Sequence, residues 1–168
     1  MKSRAAAIAG TFVFFWIAPA TVAGWVPWLI TRWRPEPPLF DGSASRWLGV
    51  ALVVAGVAIV VESFARFALK GIGTPAPVAP TKHLVVSGLY RHVRNPMYVG
   101  VVSAVIGQGL FLGSLALLEY GMALWAGFFA FVLAYEEPAL ARQFGAEYAA
   151  YRQAVPRWIP RLTPWRGA

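Results

Sequence analysis

The chain has 168 residues, 58% of them hydrophobic and 13% charged, with a formal net charge of +8. Soluble domains carry roughly 25% charged residues, so the composition excludes an ordinary water-soluble globule and predicts a single all-α domain embedded in a bilayer. With no cysteine and two histidines, His83 and His92, disulfides, thiolate chemistry and Cys- or His-built metal sites are excluded, and the positive charge belongs to topology and anionic headgroups rather than to nucleic acid.

A helix needs about 20 mainly apolar residues to cross a bilayer. Residues 5–30 supply the first such run. "MKSR" ahead of it and the small residues of "APATVAG" imitate a secretory signal, but hydrophobicity continues through "GWVPWLI", well past a signal's apolar core. Pro19 and Pro27 predict a kink or an end to this helix. The connection 31–46, "TRWRPEPPLFDGSASR", reads as a proline-rich link with aromatic anchors. A second helix is predicted over 47–69. It holds Glu62 and Arg66, whose i, i+4 spacing predicts an ion pair that snorkels toward the interface.

Residues 71–80, "GIGTPAPVAP", are predicted to be extended and stiff. "GLYRHVRNPMYVG" (88–100) then crowds Arg91, His92 and Arg94 at the start of a third helix, about 97–112. The link "LGSL" (112–115) is so short that the fourth helix, 115–136, must run antiparallel beside the third. Glu119 lies about one turn inside it and reads as a rim carboxylate. Glu136 and Glu137 close a 16-residue uncharged run, and Pro138 follows at once. Adjacent like charges need a cation or hydrogen-bond donors, and Arg142 or the arginines of 88–94 are placed to serve. Beyond Pro138 a continuing helix puts Glu137, Leu140, Phe144, Tyr148 and Tyr151 on one face of an amphipathic segment, with Gly145 as the residue expected to break it.

Four spans place the N-terminus, the 70–97 loop and the C-terminal tail on one side. Eleven Lys and Arg residues fall there, against Arg32, Arg34 and Arg46 on the other. The positive-inside rule therefore predicts a multi-pass protein of the cell membrane with both termini in the cytoplasm.

"LVVSGLYRHVRNPMYVG" (84–100) and "YEEPALARQFGAEYAAYRQAVPRWIP" (135–160) together resemble the isoprenylcysteine carboxyl methyltransferases and the related phospholipid N-methyltransferases, small membrane enzymes that use S-adenosyl-L-methionine. The shared pattern is Gly-x-Tyr, then Arg-His/Asn-Pro-x-Tyr, then Glu-Glu ahead of Phe-Gly-x-x-Tyr-x-x-Tyr. The first two helices are similar in character only. The resemblance implies a cofactor site built from Lys82, His83, Leu84, Val85, Tyr90, Asn95, Pro96, Met97, Tyr98, Glu136 and Glu137, with Glu136, Glu137 and Arg94 as candidates for a catalytic role. Where the family often has His, this chain has Asn95, which hydrogen-bonds but cannot titrate near neutrality.

The chemistry of the cofactor fits the opening crowd of charges. A carboxylate pair suits its ammonium, while helix-start amides and Arg or Lys suit its carboxylate. The expected acceptor is a lipid or lipophilic molecule bearing a carboxylate or an amine. Two other classes compete: a nicotinamide-dependent reductase of the sterol-reductase type, against which four spans argue, and a non-catalytic small membrane protein.

Overall fold

The computed structural model describes residues 17–40, 43–66 and 84–167. Among the described residues every regular element is helical. Helix α1 (Thr21–Thr31) opens with a π-wound turn, Thr21–Trp25, and continues as Val26–Thr31. It is followed by α2 (Ala44–Arg66), a 3₁₀ turn at Gly88–Arg91, α3 (Pro96–Leu112), α4 (Leu115–Phe131), a second π turn at Val132–Glu136 and α5 (Glu137–Ala154). Leu115 to Ala154 forms a 40-residue helical run, broken in its backbone angles at Gly145. Among the described residues, that run and α2 are the two helices long and apolar enough to cross a membrane, while α1 and α3 are shorter. Residues 5–16, the 71–80 segment, Lys82 and His83 lie outside the described residues.

Proline explains how α1 is built. Pro27 has no N–H, and Val26 N–H reaches back five residues to Thr21 O, so the carbonyls of Val22 and Ala23 lose their helical donors. Other helices replace them. Gln108 Nε2 on α3 donates to Ala23 O at 2.7 Å, and the Tyr120 hydroxyl on α4 donates to Val22 O at 3.1 Å. A desolvated carbonyl without a donor costs stability, so these two bonds offset what the proline removes.

Helices α2 and α3 pack backbone to backbone. A Cβ on Gly56 would lie 2.5 Å from Gly100 O and 2.7 Å from Ala104 N, and one on Gly49 would lie 2.6 Å from Gly107 O. The two contacts are seven residues apart on each helix and run in opposite senses, an antiparallel seam of small residues. Val60, Phe64 and Val101 form the core beside it, with Val22, Met97, Leu124 and Phe128 packed around them.

The α3–α4 turn is closed by Gly113, at φ 74°. Its N–H bonds Gly109 O, and Glu36 N donates to Leu112 O at 2.7 Å, so the 31–46 link is clamped to the hairpin. Helix α5 carries non-helical angles at Gly145 (φ 51°, ψ −121°), the residue expected to interrupt it. Its face of Tyr148, Tyr151, Leu140 and Phe144 packs with Leu84, Val86, Val155 and Trp165 into a second core.

Candidate active site

The end of the bundle where α2 stops, α3 starts and α4 runs into α5 gathers most of the residues singled out in the sequence. Pro138 accounts for the local geometry. It cannot donate an amide, and the turn before it is π-wound, with Glu137 N–H bonded to Val132 O. Neighbouring helical positions point about 100° apart, so the two glutamates face different surroundings.

Glu137 is buried and meets two guanidinium groups. Arg94 Nη1 lies 2.9 Å from its Oε1, Arg157 Nε donates to the same oxygen at 2.6 Å, and Arg157 Nη2 donates to Oε2 at 3.0 Å. Arg94 also donates to the Tyr148 hydroxyl at 3.2 Å. The bond to Glu137 pushes the Arg157 guanidinium further above its ordinary range. The compensating cations are therefore one arginine of the 88–94 stretch and one from the tail.

Glu136 is half-buried, and among the described residues its partner is a phenol. The Tyr98 hydroxyl donates to Oε2 at 2.9 Å, and the Tyr98 ring packs at a tilt against Phe128, centroids 4.6 Å apart. Tyr90, in the 3₁₀ turn, is buried, and its carbonyl accepts from the Tyr151 hydroxyl at 2.7 Å. Burial pushes the Tyr90 phenol well above its ordinary range, and the charges of Glu136 and Glu62 act in the same direction. Tyr90 is thus a neutral, buried hydroxyl.

Asn95 occupies the N-cap position of α3, with buried Pro96 at the first helical position. Its side chain makes no capping bond and donates instead to Arg157 O at 3.2 Å. The first-turn amides of α3 therefore have no capping side chain. Met97 packs into the core beside Val60 and Phe64. Leu84 packs against the Tyr148–Tyr151–Val155 cluster of α5, and Val85 is buried.

The tail shapes this region in a way that the spacing of motifs did not reveal. Residues 156–165 run antiparallel to 91–94. Arg94 N donates to Pro156 O, Arg161 N to His92 O and Trp165 N to Arg91 O, each at 2.9 Å. His92 Nδ1 and Arg161 O are 2.8 Å apart, and Trp158 stacks on Phe129 of α4 at 6.0 Å. Arg157 was legible only as one more positive charge, and "VPRWIP", bracketed by two prolines, was the available signal. A cleft of about 1340 Å³ lies between the end of α2, residues 84–92, α5 and the tail.

Residues 44–147 match the phospholipid methyltransferase family. Among curated proteins the chain is similar to protein-S-isoprenylcysteine O-methyltransferase A of Arabidopsis thaliana, 32% identical over 138 residues, covering 78% of this chain and 69% of the relative. It is also similar to the protein-S-isoprenylcysteine O-methyltransferase of Schizosaccharomyces pombe (38% over 80 residues, 47% of this chain, 34% of the relative) and to the cobalt-zinc-cadmium resistance protein CzcN of Cupriavidus metallidurans (34% over 84 residues, 50% and 38%). The chain thus spans about a third of the length of the latter two. No solved structure matches it.

Proposed function

The chain belongs to the phospholipid methyltransferase family, and on that premise we propose that it is an integral-membrane methyltransferase that uses S-adenosyl-L-methionine to methylate a lipid or lipophilic acceptor. The observation that carries this reading is the division of labour between the two glutamates. Glu137 is committed to Arg94 and Arg157, whereas among the described residues the hydrogen-bond partner of Glu136 is the Tyr98 phenol at the start of α3.

The residues present suit the donor. Glu136 offers a carboxylate to an ammonium, with Tyr98 holding one of its oxygens. The start of α3, whose N-cap side chain makes no capping bond, offers amide donors to a carboxylate. When bound, the cofactor supplies an activated methyl group on a sulfonium. The chain's own contribution is alignment and exclusion of water, since charge disperses as the methyl group leaves sulfur. A carboxylate acceptor needs no base. An amine acceptor must lose a proton, and Glu136 is the carboxylate at hand to receive it.

The membrane arrangement we propose has four crossings, with the uncharged run 5–30 as the first, and the site in the cytoplasmic leaflet of the cell membrane. The eleven-to-three distribution of Lys and Arg supports that orientation. Titration of the purified protein with adenosylmethionine and, separately, with NADPH tests the function. Binding of the first and not the second is expected. The reverse result would make the protein a reductase, and binding of neither would leave a non-catalytic membrane protein.

A further inference from the structure

The large cleft has a wall that the methyltransferase motifs do not account for. Glu62, near the end of α2, and Ser87, just before the 3₁₀ turn, both line it. Each carries a polar atom shielded from water and without a hydrogen-bond partner among the described residues: Glu62 Oε2 and Ser87 Oγ. The ion pair with Arg66 explains only half of the Glu62 carboxylate, because Arg66 Nε donates to Oε1, at 2.7 Å. Ser87 stands at the N-cap of the Gly88–Arg91 turn yet makes no side-chain capping bond, although a serine there ordinarily bonds a free amide.

Gly88 brings the two together. At φ 58° it takes a left-handed conformation, and a Cβ on it would collide with Glu62 Oε1 and Arg66 Nε. The backbone after Ser87 therefore runs directly against the Glu62–Arg66 pair. A desolvated polar atom with no partner costs stability, so two of them on one cleft wall call for a ligand. An ionised carboxylate only accepts, and a hydroxyl can accept, so the ligand they share must donate.

We propose that Glu62 and Ser87 form a polar subsite of this cleft that recognises a hydrogen-bond-donating group, a hydroxyl pair or an ammonium, on the bound ligand. Both residues line the cleft, and the subsite requires a small side-chain rotation to present either oxygen to the ligand. The subsite rests on the methyltransferase reading only for the ligand's two sources: the ribose or ammonium of the cofactor, or the amine headgroup of a lipid acceptor.

The test uses the full chain in detergent with two variants, Ser87→Ala and Glu62→Gln. Glutamine keeps an acceptor for Arg66, and the Ser87 hydroxyl has no partner to lose, so Ser87→Ala is expected to melt no lower than wild type without ligand. Each protein is titrated with adenosylmethionine, with 5′-methylthioadenosine, which keeps the ribose but lacks the ammonium, and with short-chain phosphatidylethanolamine. Ser87→Ala should weaken the recognised probe about threefold to tenfold, and Glu62→Gln should weaken an ammonium about tenfold or more but a hydroxyl only about threefold. Loss with both nucleosides assigns the ribose, loss with adenosylmethionine alone assigns its ammonium, and loss with the lipid alone assigns the acceptor headgroup. Wild-type affinity of both variants for every probe that wild type binds would overturn the subsite while leaving the methyltransferase reading intact. Wild type that fails to bind adenosylmethionine, with lipid binding that falls in the variants, would overturn that reading and keep the subsite. Wild type that binds no probe overturns both.

Discussion

Two glutamates that are neighbours in the chain should respond in opposite ways to the same substitution. Glu137→Gln removes the carboxylate that offsets Arg94 and Arg157. Stripping one partner from a buried ion pair costs about 3–5 kcal/mol, so this variant should melt well below wild type in detergent. Glu136→Gln breaks no ion pair and keeps an acceptor for Tyr98. It should melt normally and lose about 1.5–3 kcal/mol of adenosylmethionine affinity, the worth of a charge-assisted bond. Calorimetric titration alongside melting separates the two, and equal melting points would show that the guanidinium network carries no weight. Tyr98→Phe keeps the ring on Phe128 and loses the hydroxyl. About 0.5–1.5 kcal/mol of cofactor affinity should go with it. The sequence showed that this carboxylate pair needed compensation and offered Arg142 or the 88–94 arginines. It could not show which glutamate would be compensated, because that depends on how a π turn rotates one past the other.

At the scale of elements, the α2–α3 seam and the proline-bearing α1 each make a sharp prediction. Gly56→Val places a β-branched side chain where a Cβ alone would lie 2.5 Å from a facing carbonyl. Neither backbone can yield without moving a helix, and overpacking of this kind costs about 1–3 kcal/mol. Gly127→Ala on α4 meets nothing within 4 Å and should be neutral or gain up to about 1 kcal/mol from helix propensity. Melting curves of the pair decide whether the seam or glycine as such governs stability. Gln108→Leu leaves Ala23 O without its donor from α3. Interhelical bonds in membrane proteins are worth about 0.6 kcal/mol on average and up to about 1.7, so a modest fall in melting temperature is expected. No change would mean that the Ala23 carbonyl is satisfied by other means.

For the molecule as a whole, the tail is as much a part of the site as the motifs it lies against. Ending the chain after Val155 deletes Arg157, three backbone bonds to 91–94 and the Trp158 stack on Phe129. Helical circular dichroism should persist, because the helices do not depend on these contacts, while adenosylmethionine binding should fall at least tenfold. Undiminished binding would reduce the tail to an external strap. Topology is tested separately: reporters fused at residue 168 and within 31–46 should report opposite sides of the membrane, and same-side signals would sink the four-crossing arrangement.

Apolar run lengths and turn residues were enough to place α2, α3 and α4 within a few residues and to expect the break at Gly145, and the charged motifs together with the family resemblance brought forward Arg94, Tyr98 and the glutamates, which the fold gathers at one end. Those features are local: a helix's length and periodicity depend on its own residues. Partnerships across the chain were not legible. That Gln108 would repair Pro27's missing bond, that Gly49 and Gly56 would meet Gly107 and Gly100, and that Arg157 would close over Glu137 from 20 residues away all depend on where separate helices and the tail come to rest. Packing sets those positions, through backbone approach and the need to pair every desolvated polar group, and no window of sequence contains both sides of such a contact.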